Sequence, residues 1–316
     1  MLIQSNGIRI IGTGSGLPKR IVTNQEIWPQ SSEWVSSVLG INERRHLDSN
    51  EDLLSLCLEA ANSALSSAGI SALDLDAIII ATSTPDYINP SMAAILHGKL
   101  NARESCASFD VQAVCAGFMY ALGIVASLAA SKSGEYFLVI GADQFSKITN
   151  FKDRNCVFFG DAAAAMIIQH DEAANSKLSV ELFSQGNGWD SFHTSPEEKY
   201  FIMRSTEVAA FAAKKLPESI ESVCKKIGVS TDSISHFCTH QPSKPLLDKL
   251  EVALALKSGL LNRNLTNRGN TAGATVPLLF HELGLMKSIK PGELIAFAGV
   301  GAGWAWGAAI LEWPTD

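Results

Sequence analysis

From Ala116 to Ser131 the chain runs without one charged side chain. Read as a helix, this segment is apolar on every face, and such a helix must be buried on all sides. The apolar run from Val114 to Ala130 is interrupted by Gly117, Gly123 and Ser127. It falls short of the ~20 residues a membrane crossing needs, so a core helix is the better reading. Enclosing a whole helix requires layers of structure above and below it. A chain of 316 residues with 47% hydrophobic and 18% charged residues can supply that core.

The flanking pattern is that of an α/β protein. Continuous apolar runs at 76–83 and 136–141, and an Ala-rich run at 160–169, read as strands buried on both faces. Leu54, Cys57, Leu58, Ala61, Ala64, Leu65 and Ala68 recur at helical spacing up to Gly69. Helices are also expected over a segment opened by Asn89-Pro90-Ser91 and running through Leu100, and over 206–227, 246–256 and 278–287. Residues 184–204 are polar and irregular and read as a long surface insertion.

A weak internal echo runs through the chain. FLVIGAD (137–143) followed by GDAAAAMIIQ (160–169) is similar to LIAFAGVG (294–301) followed by GAGWAWGAAILEW (301–313). DAIIIATST (76–84) is likewise similar to SHFCTHQPS (235–243). Two packed α/β halves, 1–170 and 171–316, would account for this, with the polar stretch 171–176 between them.

Several functions are disfavoured. The net charge of −7 comes without a Lys/Arg cluster, which argues against a nucleic-acid binder. The first residues lack the basic region of a secretory signal, and six cysteines without a CxxC pair read as free thiols in a reducing cytoplasm. GTGSG (12–16) looks like a turn-rich phosphate cradle, but Pro18 and a second turn follow where a dinucleotide fold would open its helix. His236, Cys238 and His240 alternate along one strand without a fourth partner, so no metal is expected.

Three residues invite chemistry. Cys115 follows a short strand at 108–111 and sits at the N-terminus of the apolar helix. The helix dipole there lowers a thiol below its ordinary pKa of about 8.5, so an ionised nucleophile is expected. His240 ends the strand 236–240, where α/β folds place functional groups. Asn270 lies in the small-residue loop RGNTAGAT (268–275) and could direct an amide donor into a site or simply serve a turn.

DVQAVCAGF (110–118), THQP (239–242) and RGNT (268–271) together resemble the motifs of the β-ketoacyl-acyl carrier protein synthase III enzymes of the thiolase superfamily. IIGTGSGLPKRIVTN (10–24), GINERRH (40–46), VFFGDAAAA (157–165) and GVGAGWAWGAA (299–309) extend the resemblance over nearly the whole chain. It implies a thiolase-like five-layered αβαβα fold of two similar halves, a homodimer, and a catalytic trio of Cys115, His240 and Asn270. An acyl group would pass from a CoA or carrier-protein thioester to Cys115. Decarboxylative condensation with malonyl-acyl carrier protein would follow, with these thioesters as substrates and no other cofactor. Backbone N–H groups of Cys115 and Ala302 would form an oxyanion hole. Trp34 and Arg154 match residues that hold the CoA adenine. Asn89 matches the residue that reaches the partner subunit's acyl pocket. Lys214, Lys215, Lys244 and Lys249 are candidates for docking the carrier protein.

The chain departs from the family pattern around these contacts. Val38 stands where an arginine is usual, Pro242 and Ser243 replace Ala and Asn, Pro245 replaces a basic residue, and Asn89 replaces a bulky aromatic. The reaction core is kept while donor recognition and pocket shape have changed. A transferase moving the acyl group to an alcohol or amine, with His240 as general base, and a non-catalytic partner subunit are the competing expectations.

Overall fold

The computed structural model describes residues 1–195 and 197–315. Its frame is a pair of five-stranded sheets. The first runs Ile8–Gly16, Ala162–His170, Tyr136–Asp143, Ala77–Ala81, Ala107–Val111. The second runs Leu2–Asn6, Lys177–Ser184, Ala305–Glu312, Leu294–Gly301, Ile234–Thr239. Between them lie the apolar helix Gly117–Ala130 and the shorter helix Thr275–Glu282. Leu53–Ala68 and Met92–Leu100 cover the outer face of the first sheet, and Ser205–Ile227 and Lys244–Ala253 that of the second. The result is the five-layered αβαβα arrangement.

The central helix behaves as its sequence requires. Phe118, Met119, Leu122 and Val125 are almost fully buried among residues of both sheets. Burial of each such side chain contributes about 1.5–3 kcal/mol. The echo between the halves is real at the level of pairing. Ala77–Ala81 runs parallel to Tyr136–Asp143, which is antiparallel to Ala162–His170. Ile234–Thr239 runs parallel to Leu294–Gly301, which is antiparallel to Ala305–Glu312.

Three expectations need correction. Residues 12–16 are not a loop; they complete the strand Ile8–Gly16. A methyl group on Gly12, Gly14 or Gly16 would strike the carbonyl oxygens of Ala64, Ala60 and Leu56, so these glycines let the helix Leu53–Ala68 lie directly on the strand. The sheets also do not divide at residue 170, because Leu2–Asn6 pairs with Lys177–Ser184 at the edge of the second sheet. Finally, the stretch 184–204 is only partly superficial. It forms a small ladder, Phe192–His193 with Ile202–Met203, and drives Phe192 and Phe201 into the interior.

Candidate active site

The strand Ala107–Val111 leads into a single turn, Val114–Ala116, from which the helix Gly117–Ala130 continues. Cys115 is in that turn, at the helix N-terminus and 6% exposed. Val114 beside it has φ of 47°, a left-handed conformation that is costly for a β-branched residue. The turn is pressed by the end of the strand Leu294–Gly301. A methyl group on Gly301 would come within 3.0 Å of the Cys115 nitrogen, so only glycine allows this approach. Ala302 follows directly and lines the same cavity.

His240 extends from the strand Ile234–Thr239, and its backbone N–H donates to the Ala298 carbonyl at 2.8 Å. Its ring is buried, and its Nδ1 has no partner among the described residues. Asn270 is clamped by its backbone: its N–H donates to Phe158 O at 2.8 Å and its carbonyl accepts from Gly160 N at 3.0 Å. The Ala272 N–H donates to Asn270 Oδ1 at 2.9 Å. With the amide oxygen occupied, the NH2 end is the one left to donate. Ala272, like Val114, has a left-handed φ, of 46°. Backbone strain therefore sits beside both Cys115 and Asn270.

Cys115, His240, Asn270 and Ala302 line one cavity of about 470 Å³. Its walls are apolar, from Phe158, Phe159, Phe192, Met203, Val208 and Trp304. Burial determines the charges inside it. The His240 imidazole is pushed down to about 3, so it is neutral at physiological pH. The Cys115 thiol is pushed well up by the same burial, and the Asp143 carboxyl adds to the rise. The expectation of an ionised sulfur is thereby corrected. A helix dipole offers up to ~2 kcal/mol in favourable geometry, less than burial costs a thiolate here. The resting site holds a neutral thiol beside a neutral imidazole.

Apart from Lys249, the other sequence-predicted contacts fall outside the cavity. Trp34 is 48% exposed and Arg154 is exposed; they lie on segments next to the lining residues Leu39 and Phe158. Asn89 is on an exposed loop with Tyr87 and Ile88 and does not line the cavity of its own chain. Lys249 is at the rim and has no ion pair among the described residues. Lys214 and Lys215 pair with Glu218, and Lys244 with Asp248 at 2.6 Å. His236 pairs with Glu293 rather than joining His240, and among the described residues no cluster could hold a metal.

Sequence reasoning missed two supports. Asp143, fully buried, accepts from Ser83 N and Oγ, Thr84 Oγ1 and Gly273 N, which ties the Asn270 loop to the first sheet. Arg44, also fully buried, donates to Val22 O and to Val157 O and so holds the segment that clamps Asn270. For Asp143 the latent signal was a carboxylate closing the apolar run FLVIGAD (137–143); Arg44, between Glu43 and Arg45, gave none.

Two stacked sheets around an apolar helix, with a cysteine at its start facing a histidine and an asparagine from the other half, define a thiolase-fold condensing enzyme. The comparisons make this specific. The model described as 3-oxoacyl-[acyl-carrier-protein (ACP)] synthase III matches residues 109–186, and that of its C-terminal part matches residues 224–313. The β-ketoacyl-[acyl-carrier-protein] synthase III of Natranaerobius thermophilus is 34% identical, over 96% of this chain and 99% of the relative. That of Trichodesmium erythraeum is 36% identical, over 97% and 98%. The crystal structure of 3-oxoacyl-[acyl-carrier-protein] synthase III from Aquifex aeolicus superimposes with a TM-score of 0.91 at 32% identity, covering 97% of this chain and 100% of that one. The chain belongs to the β-ketoacyl-acyl carrier protein synthase III family and is an acyltransferase-class condensing enzyme.

Proposed function

We propose that this enzyme transfers an acyl group from a thioester to Cys115 and then condenses it with malonyl-acyl carrier protein. The observation that carries this is the convergence of Cys115, His240 and Asn270 on one apolar cavity. In the first half-reaction the Cys115 sulfur attacks the thioester carbonyl and the carbon–sulfur bond to the donor breaks. The thiol proton passes by way of the neutral His240 ring to the departing thiolate. The oxyanion that forms in between is held by the backbone N–H groups of Cys115 and Ala302.

In the second half-reaction the malonyl carboxylate leaves as carbon dioxide. The electron pair of the broken bond moves onto the thioester carbonyl as an enolate. His240, donating from Nε2, and Asn270, donating from its NH2, stabilise that oxygen. The carbanion attacks the acyl carbon on Cys115, the carbon–sulfur bond breaks, and the sulfur takes up one proton from solvent. Because burial keeps His240 neutral, no positive charge holds the malonyl carboxylate in place, so its departure is not penalised.

Asn270 favours this reading over acyl transfer to an alcohol or amine, which has no need of a second donor on an enolate. Trp34 and Arg154 would hold the adenine of a CoA donor at the rim, and Lys249 would meet the carrier protein. No cofactor beyond the thioester substrates is required. The enzyme acts as a homodimer: among the described residues the edge strand Ala107–Val111 has one free side, and the nearby loop bears Tyr87, 52% exposed, and Ile88, 94% exposed. Asn89 is then placed against the partner's acyl pocket. Six free, buried thiols suit the reducing cytoplasm, and among the described residues no helix could cross a membrane. The test is to supply an acyl-CoA and radiolabelled malonyl-acyl carrier protein. Release of carbon dioxide with a 3-oxoacyl product supports condensation. An acylated Cys115 whose acyl group goes only to an alcohol or amine would refute it.

A further inference from the structure

The short ribbon of Arg20–Thr23 and Glu43–His46 belongs to neither five-stranded sheet. Alternation along Glu43–His46 turns Arg44 and His46 inward, where a strand ordinarily buries apolar side chains. They are 0% and 4% exposed. Arg44 donates to carbonyls: Nη1 to Val22 O at 3.3 Å and Nη2 to Val157 O at 2.6 Å, while its Nε has no partner among the described residues. Burial pulls this guanidinium down to about 10, so it stays charged at physiological pH. Burying a charge against carbonyls is costly, and packing alone would be served as well by an apolar side chain. His46 Nε2 lies 3.1 Å from Phe159 O. A carbonyl can only accept, so Nε2 carries the proton and donates it. Burial lowers the pKa of this ring and keeps it neutral.

Both side chains act on one segment, 157–161, whose other edge holds Asn270. The carbonyls of Val157 and Phe159 accept from Arg44 and His46. The alternate positions bond the Asn270 backbone: Phe158 O accepts from Asn270 N at 2.8 Å, and Gly160 N donates to Asn270 O at 3.0 Å. Phe159 and Asn270 form an isolated parallel bridge at this point. Register is locked beyond it, because Asp161 N donates to Arg45 O at 2.8 Å and Leu47 N to the Asp161 carboxylate at 2.9 Å. The stem of Arg44 closes the gap beneath. A methyl group on Gly160 would come within 3.1 Å of its Cβ, and one on Gly269 within 3.3 Å. The segment is thus a rail with two buried side chains along one edge and the Asn270 backbone along the other. The Cys115 turn is braced separately, by the end of the strand Leu294–Gly301.

We propose that Arg44 and His46 are positioning residues of the condensation half-reaction: they hold the Val157 and Phe159 carbonyls so that the Asn270 amide meets the enolate oxygen, and they take no part in loading Cys115. The inference rests on the two-step function above and adds residues that serve one step alone. Asn270 must share its target oxygen with His240, so its NH2 has little freedom of placement. A donor displaced by 1 Å from a reacting group can cost ~10²-fold in rate. The attack of Cys115 on the donor thioester does not call on that amide, so the same displacement leaves it untouched.

The experiment reads both half-reactions on the full-length enzyme: acetyl-Cys115 formation from acetyl-CoA by intact mass, and carbon dioxide release from radiolabelled malonyl-acyl carrier protein. His46→Leu removes the donor to Phe159 O. It should slow carbon dioxide release by at least ~10-fold and leave acetyl loading unchanged. His46→Gln, whose amide can donate to the same carbonyl, should recover most of the loss. Combined with Asn270→Ala, His46→Leu should cause no further loss, since it acts through that residue. Arg44→Lys, which retains the charge but not the two-carbonyl grip, should show the same split, and it carries the test if a melting curve shows His46→Leu to be unfolded. Folded variants that slow both half-reactions equally, that condense at the wild-type rate, or whose effect multiplies with that of Asn270→Ala would overturn the assignment and leave the condensing function standing. A wild-type enzyme that loads Cys115 yet releases no carbon dioxide would overturn both.

Discussion

The two halves carry the same strand pattern and use its ends in opposite ways. In the first half, the ends of Ala77–Ala81 and Tyr136–Asp143 are closed by the buried Asp143, which gathers Ser83, Thr84 and Gly273. In the second half, the matching ends are those of Ile234–Thr239 and Leu294–Gly301. They lead into His240 and Ala302, which open onto the cavity. The edges differ too. Only the first sheet has its outer parallel strand, Ala107–Val111, and that strand delivers Cys115; the second sheet takes its fifth strand from Leu2–Asn6 at the opposite edge. A near-repeat thus becomes a single site. One half is sealed and supplies Cys115, the proposed nucleophile, and the other is open and supplies His240 and Asn270, the proposed donors.

The comparison breaks most severely at the open end. His240→Ala and Asn270→Ala should each reduce 3-oxoacyl product formation by about 10²–10³-fold, the size of losing one oxyanion donor. Asn270→Ala should still form acyl-Cys115, readable by mass. Equal loss of both half-reactions in that variant would refute the division of labour.

At the sealed end, Asp143→Ala leaves four donors facing an empty interior. Urea unfolding should show a loss of about 3 kcal/mol, because orphaned buried polar groups are costly. Asp143→Asn should recover part of it.

A third test separates the ends by pH. The unfolded imidazole titrates near 6.5 and the folded His240 near 3, so between these values the unfolded chain binds the extra proton. Stability therefore falls as pH drops below about 6.5, with His240 accounting for about 2 kcal/mol by pH 5. His240→Gln should flatten the pH 5–7 dependence of urea unfolding by that amount. His46 and His281, also lowered by burial, should keep a residual slope.

The smallest effect is expected at the rim. Lys249→Ala should raise KM for malonyl-acyl carrier protein a few-fold, as a loss of about 0.5–1 kcal/mol for one exposed charge. It should leave the rate with a malonyl-pantetheine analogue unchanged, since that substrate has no protein to dock. An unchanged KM would remove Lys249 from the docking surface.

Much of the fold was legible because the signals were strong and local. The uncharged 116–131 run, the buried strands at 76–83 and 136–141, and the repeated motif pairs each constrain structure within a few residues. Cys115, His240 and Asn270 were legible through their positions at element ends and their motifs. Residues 12–16 were misread because three glycines signal both a turn and a tightly covered strand, and only the helix Leu53–Ala68 lying on them decides which. Phe192 and Phe201 were hidden in a stretch that reads as polar on average, since a few large rings suffice to pull a loop inward.

Local pattern determined the α/β class and the buried helix, because apolar periodicity is written one position at a time; the layered arrangement and the choice of Cys115, His240 and Asn270 rested on the resemblance of separated motifs to a known family. The protonation of those side chains was decided only by tertiary structure. A helix terminus in water would favour a thiolate, but the sheets that close over Cys115 and His240 take away the solvent a charge requires. The aromatic cluster around Cys115 was decided the same way, by rings from distant parts of the chain that meet only when it folds.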